Sequence, residues 1–276
     1  ADTNRLLPKT DPFNRQITIG LGCFLELLRM AAAENEHRLE TKLFPQGSSS
    51  NGLDRRPIAR VIFTPDSTVA RDPLFAQVLD RRSNKDPFDM SRTIDPAALV
   101  RIGAVVANGS RFGGTVAPQE VATWRELTHR ALQIEIETPR TFQESIDLFR
   151  IGHREVDANP DGIDFTGPLF EALHLSGQFT RASAADPTST AYQAGLDAVF
   201  ANTDTAMGHV WLVTAGNSRA DQIETGADWL RVNLAVTSEG LGFQPLSQAL
   251  QEFPEMADAL SLIALFCCRP TTHSVM

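Results

Sequence analysis

The sequence holds only three cysteines, Cys23, Cys267 and Cys268, and two of them are adjacent. An odd and sparse set gives no disulfide framework and fits a reducing, cytoplasmic setting. Adjacent cysteines rarely bridge each other favourably, so Cys267 and Cys268 are expected to pack as small apolar side chains. Positive charge is also scarce, with a formal net charge of −9. That balance argues against non-specific binding to nucleic acid or to an anionic membrane, both of which need a positive field. No run of about 18 apolar residues is present, so no membrane span is expected. The first residues show no signal-peptide core. The start at Ala1 reads as a trimmed chain, with an export signal removed upstream as the alternative to a cytoplasmic protein. The sequence has no GxxxxGK[ST] loop and no GxSxG elbow. Its six histidines are scattered without an HxxxH or HExxH pair, so a zinc site is not expected.

What is present is an ordinary globular composition, 42% hydrophobic and 21% charged over 276 residues. That length supports one large domain or two smaller ones with ample core. A helix is predicted from about 13 to 36, with Asp11 or Asn14 as its cap and Ile17, Leu21, Phe24, Leu25 and Leu28 at spacings of three and four. Strands follow over 39–44 and 59–64, separated by a flexible loop that includes 46–51. Residues 73–79 read as a helix. A further helix is expected over 95–106, capped by Asp95 with Pro96 in its first turn. A strand is expected near 114–116. Helices follow at 118–137 and at 142–151, the second capped by Thr141. Residues 152–190 read as a long irregular lid or arm. A helix over about 191–202 comes next.

The stretch from His209 to Leu250 organises the rest. An apolar strand, His209 to Thr214, leads through a polar turn into a helix over about 220–239. That helix is apolar on more than one face, which implies burial. Gly240 suits the position just past its C-terminus. Gly242 brings backbone close to whatever lies beside the turn Gly242-Phe-Gln-Pro-Leu246, and Pro245 stiffens it. A cofactor seat and a simple capped core helix both account for these residues.

The densest cationic cluster is Arg81, Arg82, Ser83 and Lys85. Guanidinium forks, a hydroxyl and an ammonium could grip a phosphate and sugar oxygens. The same residues could equally form a solvated turn paired with Asp80, Asp86 and Asp89. Gly20-Leu-Gly22 and Gly240-Leu-Gly242 are only fragments of a dinucleotide fingerprint.

Taken together, Arg81-Arg-Ser-Asn-Lys85 with Phe88-Asp89, and the stretch from Trp211 to Leu250, resemble two motifs of the nitroreductase-like flavoproteins. The first resembles the family's Arg-x-Ser-x-Lys…Phe segment, the second its strand, buried helix and flavin-edge turn. Asp11-Pro-Phe-Asn-Arg15, Gly20 to Leu28 and Asn159-Pro-Asp-Gly-Ile163 bring the chain nearer to the Acg-type branch, whose bacterial members are internally duplicated. The family's Asn-x-Gln-Pro-Trp segment has no match in residues 1–12, and a basic tail is not matched either.

The resemblance implies an α+β nitroreductase-like fold, duplicated as two helix-flanked mixed or antiparallel sheets. Its halves would be 1–71 and 72–276. It implies FMN as cofactor and NAD(P)H as electron donor, with a nitroaromatic, quinone or similar small molecule as acceptor. Arg81, Arg82, Ser83 and Lys85 would hold the ribityl chain, phosphate and pyrimidine edge. Gly242, Phe243, Gln244, Pro245 and Leu246 would face the reactive edge of the ring, and Arg269 would complete the phosphate grip. The chain would act as a monomer by internal duplication or as a homodimer. Two alternatives carry no turnover. In one, residues 152–190 lid a sequestered flavin. In the other, the chain is a cofactor-free relative whose basic cluster faces solvent.

Overall fold

The computed structural model describes residues 1–267. Ten α-helices and six strands make an α+β fold among these residues. The first helix, α1 (Arg15–Glu34), begins beside Asn14, which adopts a left-handed conformation (φ 56°). The Asp11 carboxylate accepts the Ile17 N–H at 3.0 Å, so the two candidate caps share the task. A hairpin of β1 (His37–Leu43) and β2 (Ala59–Pro65) follows. Residues 73–77 form a 3₁₀ turn instead of an α-helix. Next come α2 (Pro96–Gly103), capped by Asp95 through the Ala97 N–H, and β3 (Arg111–Thr115). The helix stops at Gly103, earlier than its periodicity suggests, and a Cβ on that glycine would strike the Phe112 ring.

The helices α3 (Pro118–Glu137) and α4 (Pro139–Asp147) are joined at Thr138. The expected 142–151 helix is corrected on both sides. Its start moves back to Pro139, and Phe149–Ile151 form β4. Thr141 is no cap. It is fully buried inside α4, with its hydroxyl on the Glu135 and Thr138 carbonyls at 2.7 and 2.8 Å.

The region read as irregular is mostly ordered structure. It contains α5 (His153–Ala158), β5 (Ile163–Phe165), α6 (Pro168–Leu175) and α7 (Arg181–Ala185). Phe149, Phe165, Phe170 and Phe179 cluster there with ring centroids 4.6 to 6.4 Å apart, a centre that no local periodicity announces. The helix α8 (Thr190–Asp204) and strand β6 (His209–Val213) lead to α9 (Arg219–Ser238). Ser218 and Asp221 form a reciprocal capping box at the start of α9. Gly240, at φ 67°, ends it as the sequence suggests. The helix α10 (Ala257–Cys267) closes the described chain.

Among the described residues three two-stranded sheets form, where two helix-flanked sheets were expected: β1–β2 and β3–β6 antiparallel, β4–β5 parallel. The centre of the fold is helical. The helices α1 and α9 make the largest contact between elements, bringing residues of 1–71 against residues of 72–276. They meet at Gly22 and Gly226, where a Cβ on Gly22 would fall on the Ile223 carbonyl and one on Gly226 on the Ile19 carbonyl.

Beside this crossing, Arg231 donates to Glu26 at 2.9 Å and to Asp72 at 2.5 Å. Arg29 also joins Glu26 at 2.8 Å. Burial alone would push the Asp72 carboxyl up, but the bonds from Arg231 and the Leu74 N–H outweigh it and hold it below the usual range.

One expectation about membranes changes. By length and composition α1 is apolar enough to span a bilayer, and no other described helix is. Its inner face is taken up by α9 and by the buried Glu26–Arg231 pair.

Candidate functional site

A cavity of about 610 Å³ lies between α1, α9, β6 and the turn after Gly240. That volume is within the roughly 300–1,000 Å³ typical of small-molecule sites. All three tryptophans of the chain, Trp124, Trp211 and Trp229, line it. Trp124 stacks on Trp211 with centroids 4.9 Å apart and on His209 at 5.8 Å. Trp229 meets Phe243 at 5.1 Å. Gly113 on β3 allows the Trp211 indole to lie across the neighbouring strand, since a Cβ there would strike the ring. The site is therefore walled by aromatic faces suited to a planar ligand.

Apolar surface outweighs polar surface in the wall. The Gln244 side-chain carbonyl is buried without a hydrogen-bond partner, as are both ring nitrogens of His209. Burial, then the charge of Arg125, pushes the His209 pKa down to about 4, so the ring is neutral at physiological pH. The Arg125 guanidinium donates to the Ala206 carbonyl at 2.7 Å, which fixes it beside that ring.

On the α1 side, Gln16 accepts from the Ser247 hydroxyl at 2.8 Å and donates to the Ser247 carbonyl at 3.2 Å. Arg15 bonds Glu252 at 3.1 Å and also the Leu250 carbonyl, so its charge is already answered. Arg92 lines the cavity, is exposed, and forms no ion pair among the described residues. Cys23 lines it too. Burial raises its thiol to about 11, which excludes a thiolate nucleophile at neutral pH, and the thiol donates to the Gly226 carbonyl at 3.1 Å.

The ten residues read from the sequence as cofactor contacts divide sharply. Gly242, Phe243, Gln244, Pro245 and Leu246 all line the cavity. Arg81, Arg82, Ser83 and Lys85 do not. Arg82 turns back onto the Leu79 and Arg81 carbonyls at 2.6 and 2.8 Å. Lys85 pairs with Asp164 at 3.2 Å, with 58% and 59% of the two side chains exposed. Ser83 is exposed. Arg269 lies outside the described residues, as does Cys268.

The two segments nevertheless touch. The Asn84 N–H donates to the Phe243 carbonyl at 2.8 Å. A Cβ on Gly242 would sit 3.3 Å from the Phe88 ring and 3.7 Å from Asn84. Asn202 on α8 locks the first segment from behind by donating to the Asn84 and Asp86 carbonyls at 3.2 and 2.7 Å.

Sequence reasoning missed Trp124, His209, Arg15, Gln16 and Arg92 as wall residues. Trp124 carries a signal, since a tryptophan on the core face of a helix is a large planar surface. The others lie on elements whose mutual placement no local pattern fixes. No residue of 152–190 lines the cavity in this structure.

No protein-family model matches this chain, and no curated protein sequence matches it at a significant level.

Proposed function

We propose that the cavity holds FMN and that the chain is an oxidoreductase of the nitroreductase type. It would carry hydride from NAD(P)H to a nitroaromatic, quinone or similar acceptor. The observation that carries this reading is the bond between Asn84 and Phe243. It joins the two flavoprotein-like stretches, far apart in sequence, beside an aromatic cavity.

The residues fit the group in three respects. The wall offers tryptophan faces for a planar ring. The buried Gln244 carbonyl lacks a donor, which a ligand N–H would supply. Arg81, Arg82 and Lys85 flank Asn84, which bonds the turn, and would have to swing toward a bound phosphate to serve as its cations. Recruiting Lys85 costs little, because an ion pair as exposed as Lys85–Asp164 contributes only about 0–1 kcal/mol. Bound FMN would supply the hydride chemistry. The chain's own part is to bind and orient it, with the Gly242–Leu246 backbone along one edge and aromatic side chains excluding water.

A second reading has its own observation. Arg82, Ser83 and Lys85 are exposed, and Lys85 is paired on the surface. In that reading the cavity takes a planar, uncharged molecule without a phosphate grip and without turnover.

The test is a fluorescence titration with FMN and with riboflavin, followed by anaerobic NADH and NADPH addition. Under the FMN reading, FMN binds at least about tenfold more tightly than riboflavin, since a phosphate–cation contact contributes upwards of about 1.5 kcal/mol. The double variant Arg81→Ala with Lys85→Ala removes that advantage. Equal affinity for the two flavins, unchanged in the double variant, favours the second reading. No flavin binding at all refutes the FMN assignment. Bleaching of bound flavin by NAD(P)H separates an oxidoreductase from a protein that only holds the cofactor.

A further inference from the structure

We propose that β1 is a dimerisation edge that pairs antiparallel with β1 of a second copy of this chain, centred on Thr41. The pairing is independent of the flavin reading, because no β1 or β2 residue lines the cavity.

Beyond the contact of β1 with α1, the hairpin has little support. Among the described residues β1 and β2 pair only with each other, and neither strand contains a buried residue. Two strands alone are marginal in water and gain stability from a third or fourth.

The free edges are not equivalent. The Asp66 N–H donates to the Glu36 carbonyl and the Phe44 N–H to the Ile58 carbonyl, both at 2.7 Å, at the two ends of the ladder. Those bonds set the phase. Even-numbered residues of β1 direct their backbone groups at β2, and Leu39, Thr41 and Leu43 direct theirs outward. The same phase on β2 puts Ala59, Val61 and Phe63 on its outer edge, flanked by Pro57 and Pro65 at outward positions. Proline offers no N–H and blunts an edge against strand addition. The β1 edge has no proline from His37 to Leu43.

Charge and apolar contact then narrow the register. A two-fold pairing of β1 with itself keeps the hydrogen-bond phase about any residue of the strand; Glu40 is its midpoint, and Leu39 and Thr41 lie one step to either side. Centred on Leu39, Glu40 would face Arg38 of the partner subunit, but only the two Leu39 side chains would meet, whereas the Thr41 centre brings four leucines together, and exchanging the charges of Glu40 and Lys42 restores only the Thr41 register. Centred on Thr41, Glu40 faces Lys42 of the partner subunit, and Leu39 faces Leu43 of the partner subunit. Symmetry makes each of these pairs occur twice. Centred on Glu40, the glutamates would oppose each other and Arg38 would oppose lysine, which is repulsive. Lys42 alone would guard the edge, but in the Thr41 register Glu40 answers it. The apolar side of the hairpin, with Leu39, Leu43, Val61 and the 49% exposed Phe63, becomes continuous across four strands.

The test is the mass in solution of the full chain, by light scattering and sedimentation across a wide concentration range. The wild-type chain is expected to dimerise. Glu40→Lys turns both attractive pairs into repulsive ones and should weaken the dimer by about tenfold or more. Adding Lys42→Glu to it restores the pairs in reversed order and should restore the dimer. Thr41→Pro removes an outward N–H that no described residue uses, and should leave a folded monomer. A wild-type monomer at every concentration overturns the proposal. So does a dimer indifferent to Glu40→Lys, or a double swap that fails to recover it. The charge variants lie on the exposed face, so the test stands even if Thr41→Pro misfolds.

Discussion

The α1–α9 contact and the cavity wall are made from the same two helices, yet they follow opposite rules. Around Gly22 and Gly226 the backbones meet with no side chain between them. Beside that crossing, Arg15 and Gln16 of α1 and Gln222, Thr225 and Trp229 of α9 line the cavity. At the crossing the charged groups are closed into pairs, Arg231 with Glu26 and Asp72. In the wall, His209 and Gln244 keep buried polar atoms unanswered. A tight crossing fixes the spacing of the helices, and a fixed spacing can keep a cavity from collapsing. The unanswered atoms are the cost of that cavity, and a ligand is what would satisfy them.

The largest expected effect breaks the tight side. In Gly226→Ala the new methyl has only backbone to meet, with Gly22 Cα at 2.8 Å and the Cys23 nitrogen at 2.9 Å. The helices must separate, and a loss of more than about 4 kcal/mol is expected. Urea unfolding, or failure to accumulate soluble protein, reads this out. The same change at Gly20 is the control, because a Cβ there meets nothing within 4 Å. If Gly226→Ala unfolds within about 1 kcal/mol of the wild type, the close crossing is not what holds the helices.

A smaller loss should follow from opening the charge cluster. Arg231→Met leaves Asp72 with a single cation, Arg29 at 3.3 Å, while Glu26 keeps Arg29 at 2.8 Å. Breaking buried pairs of this kind costs about 3–5 kcal/mol, and the remaining Arg29 contacts place this case at the lower end. The Asp72 carboxyl should then titrate higher, visible in carboxyl carbon shifts by NMR. An unmoved Asp72 would mean that Arg29 and the Leu74 N–H hold it down without Arg231.

Much of this arrangement was legible in the residues, for reasons that differ by element. The helices α1, α3, α8 and α9 carry long apolar periodicities, and Asp95–Pro96 and Gly240 mark ends by local chemistry. The turn Gly242–Leu246 was read as the contact for a cofactor's reactive edge, and it lines the cavity. The glycine crossing was not legible. Gly20-Leu-Gly22 read as no more than part of a dinucleotide fingerprint, and only the partner helix shows what Gly22 is for. The 152–190 region misled because its centre is four phenylalanines spread over 31 residues, joined by packing and not by pattern. The basic cluster was found, but the sequence does not say which way a loop side chain turns. Lys85 turned to Asp164 and Arg82 to its own backbone.

The gentlest probe acts on the open side, through acid. His209 titrates near 4 in the folded chain because its ring is buried, and secondarily because Arg125 lies beside it. In the unfolded chain it titrates near its ordinary 6.5. Between those values the unfolded state binds more protons, so stability rises with pH across that window and levels off above it. At pH 5 the shortfall from this one ring is about 2 kcal/mol relative to pH 7. His209→Phe keeps an aromatic face on Trp124, and it breaks no hydrogen bond because neither ring nitrogen has a partner. Urea unfolding of the variant at pH 7 and pH 5 should therefore lose that part of the acid sensitivity, while the carboxylate-dependent loss at lower pH remains. An identical pH slope in both proteins would show that the ring is hydrated in solution and that the wall opens to water. A ligand donating to a His209 nitrogen would hold the ring neutral still more firmly, so the acid limb measured with and without flavin also reports whether the cavity is where flavin binds.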